Sequence, residues 1–183
     1  MPKPPRTETR EADAPARSRR DSALSRAVAL LSRREHSAIE LKRKLVERGF
    51  PEDEVDSALS RLQANGLQDD ARYAAALVRA KSGAGQGPLR LRAELARQGV
   101  DPALGSAALE QAQAETDWHE RAMELLSRRF KSGLAEVRDQ RRATDLLLRR
   151  GFPGDVVQAA VRRLREQGDA ADNDSGDGPD RSW

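Results

Sequence analysis

Three similar segments of this chain each end on a glycine, and the spacing of these glycines limits what the chain can fold into. Gly49, Gly99 and Gly151 lie 50 and 52 residues apart, and the segments that contain them run over residues 41–51, 91–102 and 143–153. A period of this length is typical of an array of similar units rather than of a single globular core.

Each segment has the pattern of a helix that ends and a second helix that begins. Apolar residues stand eight and four positions before each glycine, which places them on one face of a helix. The glycine is expected to take the left-handed conformation that closes a helix, and the apolar residue after it to fold back on the last turn. A proline follows, suited to the first turn of the next helix. The motif residues are Leu41, Leu45, Gly49 and Phe50, then Leu91, Leu95 and Gly99, then Gly151 and Phe152.

Apolar residues at helical spacing also precede and follow each of these motif helices. We therefore predict an all-α fold of nine helices, arranged as three tandem three-helix repeats over residues 21–66, 67–115 and 116–168 in an elongated modular array. The composition agrees, since aromatic residues are only 3% of the chain. Helix starts are marked by a capping box of Ser37 and Glu40, by Asp69 or Asp70 before Tyr73, and by Pro88.

The two ends of the chain differ from its middle in composition. Residues 1–20 carry six Lys or Arg against three Asp or Glu, whereas residues 169–183 carry one against five. Both segments are poor in large apolar residues and cannot bury enough surface to offset the entropy of ordering. We predict a disordered basic tail over 1–20 and a disordered acidic tail over 169–183.

The residues needed for catalysis or metal binding are scarce. The chain has no cysteine and two histidines, neither within a set of convergent ligands, so we expect no enzyme activity, metal or cofactor. The glycines at 83, 85 and 87 lack the strand and the Lys-Ser/Thr pair of a phosphate-binding loop, so a flexible turn is expected. No apolar run approaches the ~20 residues of a membrane span, and no secretory signal is evident, which favours the cytoplasm.

Basic residues recur in all three repeats and are the candidates for contact with an acidic partner. Most charges of this kind lie on solvated helix faces, but repeated positive charge suits a long acidic partner such as a phosphate backbone or a filament. The candidates are Arg33, Arg34, Lys42, Arg43, Lys44, Arg79, Lys81, Arg90, Arg92, Arg141, Arg142, Arg149 and Arg150.

From about residue 27 to residue 164, the sequence resembles the RecX family, bacterial regulators of the RecA recombinase. The resemblance depends on the order and spacing of short motifs, namely Arg34-Glu35-His36-Ser37 with Glu40-Leu41 and Lys44-Leu45, Gly66-Leu67, Asp69-Asp70-Ala71-Arg72-Tyr73, Gly87-Pro88-Leu89-Arg90 with Glu94-Leu95, Gly99-Val100, Asp117-Trp118, and Arg149-Arg150-Gly151-Phe152.

The resemblance implies a modular three-helix repeat protein, without a cofactor, that lies in the groove of the RecA filament on single-stranded DNA. There it would restrain ATP hydrolysis, strand exchange and co-protease activity. We expect a monomer, with room for weak direct DNA binding. Two alternatives stay open: a helical DNA-binding protein in which RecA contact is secondary, and an architectural helical scaffold.

Overall fold

The computed structural model describes residues 22–115 and 117–174, except the side chains of residues 169–174. The expected basic tail lies outside the described residues, as do residues 175–183 of the expected acidic tail.

Nine helices and no strand make up the described part of the chain, which confirms the predicted all-α class. They fall into three groups of three, with helices packing most closely within each group. We call these groups units 1, 2 and 3. The helices are α1 Ala23–Leu31, α2 Ala38–Val46, α3 Glu52–Ala64, α4 Asp70–Gly83, α5 Pro88–Arg97, α6 Pro102–Glu115, α7 Trp118–Arg129, α8 Val137–Arg150 and α9 Gly154–Asp174.

Helix α9 continues past residue 169, where we expected the acidic tail to begin, and ends at Asp174. Ala170 and Ala171 are strong helix formers. No glycine or proline interrupts the chain between Gly168 and Gly176. The helix therefore takes in the first six residues of that segment.

The three motif helices α2, α5 and α8 close as predicted. Gly49, Gly99 and Gly151 have φ values of 83°, 69° and 84°. In each closure the glycine N–H donates to the carbonyl three residues earlier, and the next residue donates to the carbonyl five residues earlier. This pair of bonds is the Schellman motif. For α8, the N–H of Phe152 lies 3.1 Å from the Leu147 oxygen.

The starts of the motif helices follow the predicted signals with one difference. Ser37 Oγ accepts from the Glu40 amide at 3.1 Å, so the cap forms. Within the described residues, however, the Glu40 side chain is held by Arg34, 2.5 Å away, and not by the Ser37 amide. The second half of the predicted capping box is therefore missing, because a full positive charge attracts the carboxylate more strongly than an amide does.

The two adjacent aspartates before α4 have different roles. Asp69 caps the helix, since its Oδ1 accepts from the amide of Ala71 at 2.7 Å. Asp70 Oδ1 accepts from the Ala38 amide of unit 1 at 3.0 Å. One aspartate thus starts a helix while the other joins two units.

The described residues bury two separate apolar cores. The core of unit 1 consists of Ala23, Ala27, Leu41, Leu45, Val55, Ala58, Leu59 and Leu62. Units 2 and 3 share a single continuous core that runs from Tyr73 to Leu164 and includes the fully buried Leu134 in the loop between α7 and α8. Units 2 and 3 are therefore joined by apolar packing, whereas unit 1 has an apolar core of its own.

The motif helices meet end to end at both junctions between units. Where α5 ends against the start of α2, Ser37 Oγ donates to the Gln98 carbonyl at 2.9 Å. Where α8 ends against the start of α5, the Gly87 amide donates to the Arg150 carbonyl at 2.8 Å, and the Leu89 amide donates to the Gly151 carbonyl at 3.0 Å. The turn that ends in Gly87 is therefore packed against unit 3, where a free flexible loop was expected.

Candidate interaction surface

Four arginines form one continuous edge along units 2 and 3. Arg90 and Arg97 lie seven residues apart on α5, and Arg142 and Arg149 lie seven residues apart on α8. Seven residues correspond to about two helical turns, so each pair shares a face of its helix. We call these four residues the basic edge.

The junction between units 2 and 3 makes the basic edge continuous. Arg90 Nη1 lies 3.3 Å from the carbonyl oxygen of Arg149, so the pair on α8 leads directly into the pair on α5. In unit 1 the matching positions of α2 are occupied by Glu40 and Glu47. The edge therefore ends at the boundary with unit 1.

A basic groove borders the unit 3 end of this edge. It has a volume of about 670 Å³ and lies between the end of α7, the following loop and α8. Arg129 and Lys131 line it together with Arg142 and Arg149, and Asp139 is its one acidic lining residue. The Asp139 carboxylate is 3.3 Å from Arg142, which leaves the groove with an excess of positive charge.

Many of the basic residues predicted from sequence are engaged within the protein. Lys42 pairs with Asp56 at 2.7 Å, and Arg150 Nη1 donates to the Ala84 carbonyl at 3.0 Å across the junction. The remaining ion pairs of the predicted set join Arg34 and Lys44 to Glu40, Arg43 to Glu47, Lys81 to Glu94, and Arg142 to Asp139.

Five other predicted basic residues are exposed, and within the described part of the chain their side chains form no ion pair or hydrogen bond: Arg33, Arg79, Arg92, Arg141 and Arg149. Arg97, Arg129 and Lys131 belong to the basic edge or groove, but our sequence reasoning missed them. The i, i+7 spacing of Arg90 and Arg97 is the signal that would have identified Arg97.

A buried polar cluster holds unit 1 against unit 2. Burial alone would raise the pKa of Glu40, but hydrogen bonding and positive charge from Arg34, together with His36, lower it to about 2. Burial lowers the pKa of His36, although the Glu40 carboxylate, 3.0 Å from its Nδ1, opposes this shift. Gln68 Nε2 donates to the His36 carbonyl at 3.3 Å.

A cleft of about 470 Å³ lies beside this cluster between units 1 and 2. Its charged lining has two basic residues, Arg34 and Lys81, and three acidic ones, Glu35, Glu40 and Glu94. Arg34 and Lys81 each pair with a glutamate of the same lining. These charges therefore serve the junction between the units, and the cleft has no excess of positive charge to offer an acidic partner.

Metal-binding groups and membrane-spanning helices were the two other features of interest in the described residues. Within residues 22–115 and 117–174, no group of three His, Asp or Glu residues converges as a metal site. None of the helices in that same part of the chain combines the length and apolar character needed to cross a membrane.

Comparison with known protein families gives matches to three consecutive domain models. Residues 23–62 match the first three-helix domain of RecX, residues 69–109 match the second, and residues 115–161 match the third.

Relatives of known sequence match over most of their length. The regulatory protein RecX of Xanthomonas citri is 48% identical over 153 residues, which cover 81% of this chain and 93% of the relative. The regulatory protein RecX of Stenotrophomonas maltophilia strain K279a is 44% identical over 147 residues, covering 80% of this chain and 89% of the relative.

Two crystal structures share the fold. RecX from Lactobacillus salivarius aligns with a TM-score of 0.65 at 23% identity, over 78% of this chain and 94% of that one. A second structure, of regulatory protein RecX, aligns with a TM-score of 0.64 at 29% identity, over 77% of this chain and 70% of that one.

Proposed function

This chain belongs to the RecX family of regulatory proteins, and from that premise we propose that it binds in the groove of the RecA filament on single-stranded DNA and restrains the filament. It lowers ATP hydrolysis, strand exchange and co-protease activity through contact alone, without a reaction or cofactor of its own. It acts in the cytoplasm and as a monomer.

The observation that carries this proposal is the basic edge. Arg90, Arg97, Arg142 and Arg149 follow one another across two units, and the interval of seven residues keeps each pair on one side of its helix. An acidic wall of a filament groove, or the phosphates within it, would meet a line of positive charge here. Such a line steers association and fixes orientation more than it adds raw affinity.

The test is ATP hydrolysis by RecA on single-stranded DNA, titrated with this protein at moderate salt. We expect hydrolysis to fall as the protein is added. The test variant reverses two charges of the basic edge, Arg97→Glu and Arg149→Glu. Both side chains are exposed and neither forms an ion pair within the described residues, so the fold should tolerate the changes. Loss of inhibition by this variant supports the proposal.

The control variant is Arg61→Glu with Arg163→Glu. These arginines are also exposed, lie on α3 and α9, and give the same change in net charge away from the edge. It should inhibit as the unaltered protein does. Equal inhibition by both double variants would rule out the basic edge as the contact, and no inhibition by the unaltered protein would rule out the proposed function.

A second candidate function is direct DNA binding with RecA contact secondary, and the basic groove at Arg129, Lys131, Arg142 and Arg149 favours it. Binding dominated by phosphates weakens steeply with salt, by about a thousandfold or more between 50 and 200 mM when six or more phosphates are contacted. Binding to a protein surface weakens less. Affinity for bare single-stranded DNA and for the RecA filament, measured at both salt concentrations, separates the two functions. An architectural scaffold would bind neither target and affect no RecA activity.

A further inference from the structure

Large apolar side chains are exposed mainly on the motif helices. Seven large apolar residues of the described part are well exposed, and two of them, Val28 and Leu67, lie elsewhere. The other five lie on α2, α5 and α8: Ile39, Val46, Leu89, Val137 and Leu148. We call these five residues the apolar row. Scattered exposed apolar residues need no explanation, but their concentration on three equivalent helices does.

The members of the apolar row occupy matching positions in the repeat. Ile39 and Leu89 each lie ten residues before the glycine that closes their helix, and Val46 and Leu148 lie three residues before it. These positions are seven residues apart, so they share one helix face, turned away from the buried positions eight and four residues before the glycine. In unit 3 the position ten residues before the glycine holds Arg141, and Val137 lies one turn earlier on the same side.

The apolar row reaches both junctions between units but is interrupted along α5. The Ile39 side chain covers Gly99, so closely that a Cβ at position 99 would lie 2.0 Å from Ile39 Cδ1. The Leu89 amide donates to the Gly151 carbonyl at 3.0 Å, which brings Leu89 beside the end of α8. Leu89 thus begins α5 where the exposed apolar residues of unit 3 end. Ile39 meets the end of α5 ten residues after Leu89, and the position three residues before Gly99 holds Ala96.

Basic side chains border the apolar row. Lys42 and Arg43 flank it on α2, Arg92 flanks it on α5, and Arg141 lies within its course on α8. Asp145 is the acidic residue beside it on α8. The exposed Arg92 forms no ion pair within the described residues, so its charge is available to a partner. A complementary surface would be an apolar patch with acidic side chains at its edge.

We propose that the apolar row is a repeated docking surface for a protein polymer, in which each unit presents its exposed apolar residues to one subunit and neighbouring units engage successive subunits. The proposal rests on the proposed function, under which the polymer is the RecA filament. A partner with a single patch would need the exposed apolar residues of one unit only, whereas a polymer offers the same patch at regular intervals. Contacts that are weak singly add up when they are linked in this way.

The test variant replaces one apolar residue in each unit with serine: Ile39→Ser, Leu89→Ser and Leu148→Ser. Because these side chains are 51–53% exposed, the melting temperature should change little. The matched control is Leu67→Ser with Val28→Ser, which removes exposed apolar side chains outside the row, and Leu67 is 52% exposed. Binding to RecA on single-stranded DNA and the midpoint of ATPase inhibition are measured for each protein.

We expect the triple variant to need at least about tenfold more protein for half-inhibition, each single variant about two- to threefold more, and the control the same amount as the unaltered protein. If the unaltered protein inhibits and the triple variant matches it, the apolar row is not the docking surface, although the proposed function stands. If the unaltered protein has no effect on the filament, both proposals fall together. Sedimentation equilibrium supplies a further outcome, since a self-association that the triple variant abolishes would make the row an interface between copies of this chain and overturn the proposal.

Discussion

Gly151 and the backbone of Arg90 approach each other so closely that no side chain fits between them. A Cβ on Gly151 would lie 2.6 Å from the Arg90 nitrogen and 2.5 Å from its Cβ. Gly49 has nearly the same backbone conformation, with φ 83° against 84°, but a Cβ there would meet nothing within 4 Å. The two glycines therefore share one conformational requirement, and only Gly151 adds a steric one.

The first prediction uses this difference. Gly49→Ala should lower the free energy of unfolding by about 1–2 kcal/mol, the cost of a left-handed conformation for a residue with a Cβ. Gly151→Ala should cost clearly more, because the atoms it meets belong to the backbone and the base of a side chain. Gly99→Ala should fall between them, since the obstacle there is the movable end of Ile39. Urea unfolding of the three variants measures this order. Equal losses in the free energy of unfolding would mean that the backbone at the junctions shifts easily to accommodate a Cβ.

The second prediction concerns the hydrogen bond between Ser37 and Gln98. Ser37 Oγ caps α2 and also donates to the Gln98 carbonyl, whereas Ser22 Oγ caps α1 and accepts from Ser25 at 3.2 Å. Ser22→Ala should lower the free energy of unfolding by about 1 kcal/mol, because the helix loses its cap. Ser37→Ala should cost about 1 kcal/mol more, because it also leaves a carbonyl at the junction without this donor. Thermal unfolding measures both, and a Ser37→Ala variant no less stable than Ser22→Ala would show that the bond between units contributes nothing.

The third prediction is a loss of stability in acid. The carboxylate of Glu40 has its pKa lowered from 4.5 to about 2, so its stabilising effect is complete above pH 4.5 and disappears as the pH falls toward 2. The pKa of His36 lies below its ordinary 6.5, so the unfolded chain gains this proton first and stability already falls below pH 6.5. The melting temperature should therefore decline from pH 7 to pH 3.

Glu40→Gln tests the carboxylate directly. It should lower the free energy of unfolding by about 2 kcal/mol at pH 7, since it weakens the charge-assisted hydrogen bonds from the half-exposed Arg34, and it should flatten the decline below pH 4.5. Glu47→Gln is the control, because the Glu47 side chain is exposed and lies 3.8 Å from Arg43 in a solvent-facing pair. An unchanged acid profile in Glu40→Gln would show that other carboxylates cause the decline.

The fourth prediction follows from the two separate cores. Leu45 and Leu95 occupy the same position in units 1 and 2 and are 0% and 2% exposed. Replacement of either by alanine should lower the free energy of unfolding of the core that contains it by about 2–5 kcal/mol. Leu45→Ala should speed amide hydrogen exchange in α1–α3 alone, whereas Leu95→Ala should speed it throughout units 2 and 3, which share one core. Faster exchange across all nine helices in Leu45→Ala would indicate that the polar junction couples unit 1 to the rest.

The helix ends could be predicted because their signals are local. Gly99 and the residues it bonds lie within five positions of one another, and Ser37 caps an amide three residues away. The contacts at the junctions between units have no comparable local signal in the sequence. Ser37 meets Gln98 at a separation of 61 residues, and Gly87 meets Arg150 at a comparable one. A single sequence with a clear period shows that units exist but not which atoms join them.

Adjacency in the sequence does not predict which basic residues share a surface. Adjacent pairs such as Arg141 and Arg142 attract attention in a sequence, yet neighbours on a helix point about 100° apart. The structure accordingly places Arg142 in the basic groove and Arg141 beside the apolar row. The exposed apolar residues were missed for a related reason, because an apolar residue on a helix is first assigned to the core.

The end-to-end order of the motif helices gives the array a direction. At each junction the partial negative charge of a carboxyl end faces the partial positive charge of an amino end, and this attraction holds for one order only, from α8 through α5 to α2. The outer ends are neutralised within the chain. Arg48 Nη1 donates to the Lys44 carbonyl at 2.8 Å where α2 ends, and Asp139 lies in the first turn of α8. The dipoles of the three helices therefore point the same way, from unit 3 to unit 1, which is the reverse of the order of the units in the chain. A partner that has a direction of its own, such as a filament, can fit this array in one orientation and not in the opposite one.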